Sequence, residues 1–273
     1  MSRGTAAEAR TSRFEVRSAD GTSLAVWVDG DGPPLVLVHG SLLDHTIFEL
    51  LVNELRDGVT TFSMDRRGFG ASGDAAGYSI EREFEDVAAV VEAVAARTGR
   101  PAALWGHSYG AGCAMGGAAL TRNVHHLVLY EPGLGVAYPA GSIEKIEAAM
   151  VAGDMDAAIV AVLVDILETT EEDIGATRAS PRWPVLLAAG PTVPRECRAE
   201  DSWVYRPGQF DGITAPTLLL SGSESPAGLK EGTHRAAAAL PDARIRVLEG
   251  HGHLAIQTDP AMVAAIIRQF IVS

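Results

Sequence analysis

Cysteine is scarce in this chain of 273 residues: Cys113 and Cys197 are the only two, too few for a disulfide framework. One bridge is formally open to them, but two buried thiols in a reducing compartment are the expected state. Positive charge is also in short supply. The 22 lysines and arginines are outnumbered by 35 acidic residues, leaving a net charge of −13. That balance repels a phosphate backbone and argues against nucleic acid or an anionic membrane surface as a partner. Long apolar runs are missing as well. The best candidate, Ala157 to Leu167, is interrupted by Asp165 and falls far short of the roughly 20 residues that a span needs. The first 13 residues hold no apolar segment, so no secretory leader is read there and a cytoplasmic protein is expected.

What remains has the composition of an ordinary soluble globular protein, with 47% hydrophobic and 21% charged residues. The length suffices for one large domain with an insertion. No internal repeat is visible. Phe14–Arg17 and Ser23–Val28 read as two strands joined at Asp20-Gly21, a favourable hairpin turn. Leu35–His39 is a continuous apolar run, as expected of a strand covered on both faces. Thr60–Met64, Ala102–Trp105, His126–Tyr130, Thr217–Ser221 and Arg244–Leu248 are read as strands of the same sheet. Between them lie the helical patterns Ile47–Leu55, Ile80–Arg97, Gly110–Thr121, Lys230–Leu240 and Pro260–Ile271. In the second of these, Phe84, Val87, Val90, Val91 and Val94 recur at the spacing of one buried helical face. Strand and helix in alternation predict an α/β fold, a mostly parallel eight-stranded sheet flanked by helices.

One stretch breaks the alternation. From about Pro132 to Asp211 there is no strand signal, only the helical segments Ser142–Ala152 and Met155–Leu167 and a proline-rich region around Pro181–Pro194. It reads as a helical cap of residues 133–211 inserted after the sixth strand. Residues 1–132 and 212–273 then form the core domain.

The chemistry centres on Gly106-His107-Ser108-Tyr109-Gly110. A serine hydroxyl is a poor nucleophile until a base is aligned on it and its oxygen is exposed. A sharp strand-to-helix turn exposes the oxygen but crowds the backbone, which calls for glycine at the flanks. Such a motif arises readily by chance. Here a strand, Ala102–Trp105, runs directly into it and a small-residue helix, Ala111–Leu120, leaves it. That is the setting the motif requires.

With these residues in place the chain resembles the α/β-hydrolase fold family over nearly its whole length. The resemblance rests on Val38-His39-Gly40-Ser41 after the third strand and Asp65-Arg66-Arg67-Gly68-Phe69-Gly70-Ala71-Ser72 after the fourth. It rests further on the Gly106–Gly110 turn, Ala215-Pro216-Thr217-Leu218-Leu219-Leu220, and Gly252-His253 with Pro260 seven residues on. The resemblance implies Ser108 as nucleophile and His253 as base, with backbone N–H groups of Ser41 and Tyr109 as the oxyanion hole. It implies no cofactor and no metal. The Asp65–Ser72 stretch reads as a structural turn. His251 is read as a neighbouring polar group, His39 and His107 as structural, and His45 as a residue of the pocket mouth.

The third catalytic member departs from the family pattern. Ser225 stands where the family usually has an aspartate, three residues beyond Gly222. Glu224, one position away, and Glu131, at the end of the sixth strand, are the substitutes, and both keep the order Ser, acid, His. Glu131 is preferred. A one-residue slip turns an extended side chain to the opposite face, and Pro132 biases Glu131 towards an extended conformation at the strand end.

The expected activity is hydrolysis of a small to medium, fairly hydrophobic ester or lactone through an acyl-enzyme. The apolar content of the cap, including Ile159, Val160, Val162, Leu163, Ile166, Leu186 and Leu187, points to that substrate. A lyase, cyclase or C–C bond hydrolase would use the same three side chains. A ligand-binding protein that has lost turnover is the other open class, and Ser225 in the acid slot is its one hint. The expected partner is a small-molecule substrate, with a homodimer compatible.

Overall fold

The structure, a computed structural model, describes residues 12–135 and 138–272. Residues 1–11, read above for a leader, lie outside it. The eight expected strands are present: β1 (Ser12–Arg17), β2 (Ser23–Asp29), β3 (Pro34–Val38), β4 (Thr60–Met64), β5 (Ala102–His107), β6 (Val124–Tyr130), β7 (Thr217–Gly222) and β8 (Ala243–Leu248). They form one sheet in the order β1-β2-β4-β3-β5-β6-β7-β8. Pairings β1–β2 and β2–β4 are antiparallel and the rest are parallel.

The continuous apolar runs have a simple cause. Successive strand side chains point to opposite faces, and both faces of this sheet are covered. In β3, Val36 and Val38 join one buried cluster while Leu35 and Leu37 join another. Strand β5 divides the same way, with Leu104 on the first side and Trp105 on the second. Helices α2 (Ile80–Thr98), α3 (Tyr109–Ala119) and α9 (Ala227–Ala238) cover the first face; α1 (Glu49–Leu55), α10 (Ala255–Thr258) and α11 (Pro260–Ile271) cover the second. The predicted face of α2, from Phe84 to Val94, is buried throughout.

Between β6 and β7 the chain is helical: α4 (Ser142–Val151), α5 (Met155–Ala161), α6 (Glu171–Arg178), α7 (Arg182–Ala189) and α8 (Val193–Asp201). Its side chains make a third buried cluster, which Leu42 and Phe69 join from the core. Two expectations need correction here. The proline-rich region around Pro181–Pro194 is helical, because Pro184 and Pro194 lie in the first turns of α7 and α8, where no intrahelical N–H bond is lost. The expected single helix Met155–Leu167 ends as an α-helix at Ala161 and continues as a wide π-type turn, Val162–Ile166. No helix among the described residues is long and apolar enough to cross a membrane.

Helices α2 and α3 pack closely because α3 is built of small residues, all of them buried from Tyr109 to Ala118. A Cβ on Gly116 would run into the ring of Phe84. In an open helix, Gly→Ala gains about 1 kcal/mol, but overpacking a filled core costs about 1–3 kcal/mol. The clash therefore outweighs the propensity gain. Gly116→Ala is expected to lower the urea midpoint, and an increase in stability on equilibrium unfolding would contradict this packing.

Candidate active site

Ser108 directly follows β5 and Glu131 directly follows β6, one position beyond the paired residues His107 and Tyr130. The parallel register therefore brings the two side by side at one edge of the sheet. The Ser108 N–H donates to the Tyr130 carbonyl at 2.9 Å, and the Glu131 N–H donates to the Leu220 carbonyl of β7 at 3.1 Å. Ser108 has φ 57° and ψ −126°, a conformation that L-residues rarely adopt and that costs about 1–3 kcal/mol. The turn is held by its neighbours. A Cβ on Gly106 would sit 2.5 Å from the Gly110 carbonyl oxygen, and one on Gly110 would sit 2.6 Å from the Val38 carbonyl oxygen. Only glycine fits either place.

Glu131 is fully buried and its two carboxylate oxygens have separate duties. Oε1 accepts from the Gly222 N–H at 2.7 Å, and Oε2 meets His253 Nδ1 at 2.6 Å. The histidine comes from the loop after β8, and two further side chains fix that loop. His107 Nε2 donates to the His253 carbonyl at 2.8 Å, and the Tyr130 hydroxyl donates to the Gly252 carbonyl. Burial pushes the His107 pKa well below its usual value, with the neighbouring His253 adding to the effect. A neutral ring donating from Nε2 follows.

Glu131 is not extended as expected from Pro132; its φ is 46°, in the left-handed region. The bonds to Gly222 and His253 hold it there against the local preference. Glu224 is exposed, and its N–H donates to the His251 carbonyl at 3.0 Å. Ser225 is buried, and its hydroxyl has no partner among the described residues.

The loop after β3 lies against the serine: a Cβ on Gly40 would be 2.9 Å from Ser108 Cβ. Leu42, at φ 62°, turns this loop sharply. Neither the Ser41 nor the Tyr109 amide has a backbone acceptor among the described residues. The Tyr109 side chain points away, its hydroxyl bonded to that of Tyr78 and its ring under Arg66.

A cavity of about 100 Å³ opens in front of Ser108. Ser41, His107 and His253 line it from the core, and Val162, Leu163, Ile166 and Leu186 line it from the helical insertion. The first three of those insertion residues belong to the π-type turn. Ile159, Val160 and Leu187 do not reach the cavity and pack in the insertion's own core instead.

Three polar side chains on the cavity wall come from the insertion or its approach and carried no sequence signal: Tyr138, Arg182 and Glu200. Tyr138 donates its hydroxyl to Glu200. Burial pushes the Glu200 carboxyl up to about 8, against the opposing effect of that bond. Behind it, the buried Arg66 is paired with Glu83 at 3.3 Å and with Glu196. The remaining sequence candidates lie elsewhere. His45 stacks on Trp27 with ring centroids 4.2 Å apart and meets Asp65 at 2.7 Å, away from the cavity mouth where it was expected. His39 is locked between the Gly40 carbonyl and the Arg66 N–H. Asp65 accepts from the His45 and Ala71 amides at 2.9 Å each, so the Asp65–Ser72 stretch is a structural turn.

A parallel sheet covered on both faces, with a helical insertion after its sixth strand, defines the class of the α/β hydrolases. A model described as the alpha/beta hydrolase family matches residues 35–266, and the chain belongs to that family. Among solved structures, an alpha/beta hydrolase from Sphaerobacter thermophilus DSM 20745 is similar at 29% identity and a TM-score of 0.81, covering 94% of this chain and 100% of its own. An esterase, RhEst1, from Rhodococcus sp. ECU1013 is similar at 25% identity and a TM-score of 0.72, covering 96% and 98%. A thermophilic esterase from Thermogutta terrifontis shares the fold at 21% identity and a TM-score of 0.76, covering 95% and 98%. No curated protein matches the chain in sequence.

The raised Glu200 pKa links the cavity wall to stability. The folded state keeps a proton that the unfolded chain releases above its ordinary value of 4.5, so this group's contribution is full below 4.5 and is lost as pH rises through about 8. Glu200→Gln removes that titration. The melting temperature of the wild type relative to the variant is expected to fall between about pH 5 and about pH 9. A difference that is flat across this window would contradict the assignment.

Proposed function

We propose that the protein is a serine hydrolase that cleaves a small to medium, fairly hydrophobic ester or lactone through an acyl-enzyme intermediate. The observation that carries this reading is the 2.6 Å contact between Glu131 and His253 at a cavity shared with the strained Ser108. In this account Ser108 Oγ attacks the carbonyl carbon while His253 Nε2 takes its proton. The developing oxyanion is met by the Ser41 and Tyr109 N–H groups, each such donor being worth about 3–4 kcal/mol. The ion pair with Glu131 stabilises the imidazolium and keeps Nδ1 protonated, so that Nε2 is the free base. His253 then protonates the leaving alcohol. Water, deprotonated by the same ring, attacks the acyl-enzyme and releases the acid. Ser108 and His253 line the same cavity, and hydrogen bonds of this kind commonly tighten only once substrate is bound.

The insertion 133–211 serves as the cap in this reading. Its π-type turn presents Val162, Leu163 and Ile166 to the substrate, which supports a fairly hydrophobic acyl or alcohol group. The esterase descriptions of the structural neighbours agree with the reaction.

Turnover of p-nitrophenyl esters of increasing acyl length tests the assignment. Ser108→Ala should leave a folded protein with kcat reduced by something approaching a millionfold. His253→Ala should abolish turnover, with His251→Ala much milder. Glu131→Gln should cost on the order of 10⁴ in kcat, and Glu224→Gln should stay near wild type. Comparable losses in the two glutamate variants, or substantial turnover without Ser108, would overturn the roles proposed.

A further inference from the structure

We propose that Arg182 is a specificity residue that binds an anionic group, so that the preferred ester carries a carboxylate at a distance from its scissile bond. The inference rests on the ester-cleavage reading and adds the class of substrate.

Among the described residues, Arg182 is the one lysine or arginine lining the cavity in front of Ser108. Three other polar side chains on that wall are engaged: His253 with Glu131, His107 with the His253 carbonyl, and Glu200 with Tyr138. Arg182 differs from them. Its backbone N–H donates to the Ser180 hydroxyl at 3.2 Å, while its guanidinium has no hydrogen-bond partner and no carboxylate within ion-pair distance among the described residues. Arg182 is half-buried, whereas the fully buried arginines of the fold are paired. Arg66 lies between Glu83 and Glu196, and Arg67 grips Asp86 at 2.6 and 2.7 Å and Asp20 at 2.9 Å.

Burial without a partner disfavours the charged form, and the Arg182 pKa is lowered for that reason alone. Arg182 lines the same cavity as His107 and His253, whose ring centroids are 4.5 Å apart. It is also reachable from outside. A second cavity of about 330 Å³ shares Leu43, Arg182 and Leu186 with the first, so Arg182 borders both. Neither acid of that outer cavity is within ion-pair distance of Arg182: Asp44 caps the Thr46 N–H at 2.9 Å and Glu49 is exposed.

A planar guanidinium with free donors matches a carboxylate in two parallel bonds. In a wall that is otherwise mainly apolar, such bonds meet little competition from water. The chain's net charge of −13 repels anions at long range. A preference for an anionic ester therefore needs a local cation, and Arg182 supplies it.

The test compares each of two anionic esters with its neutral carboxamide analogue. Monomethyl succinate, with the charge on the acyl side, is set against methyl succinamate. Acetoxyacetate, with the charge on the alcohol side, is set against acetoxyacetamide. The anion-to-neutral ratio of kcat/KM is read within each protein, so differences in active fraction cancel. The wild type is expected to favour the anion by about tenfold or more in at least one pair. The ratio should fall towards one in Arg182→Gln and be partly kept in Arg182→Lys. A wild-type ratio near or below one in both pairs, or a ratio unchanged in Arg182→Gln, overturns the proposal. If none of the four esters is cleaved, turnover of p-nitrophenyl esters decides the ester-cleavage reading separately. Thermal stabilisation by monomethyl succinate over methyl succinamate, present in wild type and lost in Arg182→Gln, then still supports the anion site, and its absence rejects it.

Discussion

A single buried carboxylate joins the three segments that meet at the site. Glu131 ends β6, accepts from Gly222 at the end of β7, and meets His253 in the loop after β8. Both oxygens lie out of contact with water, so an unpaired charge there would be costly. The two charge-assisted bonds repay much of that desolvation. They also hold the Glu131 backbone at φ 46°, a conformation that proline at the next position disfavours.

The glycines impose the complementary constraint. Gly40, Gly106 and Gly110 allow the loop after β3, the end of β5 and the start of α3 to approach more closely than any side chain permits. That crowding fixes Ser108 in its turn and brings Gly40 against it. The strand ends thus position Ser108 and Glu131, the proposed nucleophile and acid, and the helical insertion supplies most of the apolar wall. The arrangement divides reaction from recognition: the sheet edge carries the proposed chemistry, and α7 and α8 carry Arg182 and Glu200.

The sequence made the sheet legible because burial on both faces leaves uninterrupted apolar runs, and because Asp20-Gly21 and Gly106–Gly110 mark turns by their own backbone needs. Glu131 was legible as a candidate through its position at a strand end beside Ser108, although its conformation was misread. Local preference pointed to an extended residue, and the bonds to Gly222 and His253, each about 90 or more residues away in sequence, overrode it. The helices around Pro184 and Pro194 were missed for the opposite reason, since proline marks a break until its place within the first turn is known. Arg182 and Glu200 carried no signal at all. A charged residue on an amphipathic helix looks like a solvated one, and only the three-dimensional packing of the insertion turns these two towards the cavity.

The central claim is that Ser108 is an activated nucleophile served by the Glu131–His253 pair. Peptide mapping after brief exposure to a fluorophosphonate reads that reactivity without knowledge of the substrate. The account predicts one covalent adduct, on the peptide containing Ser108, formed much more slowly when Glu131 is replaced by glutamine. An adduct on a different residue, or none on a folded wild-type protein, would contradict it.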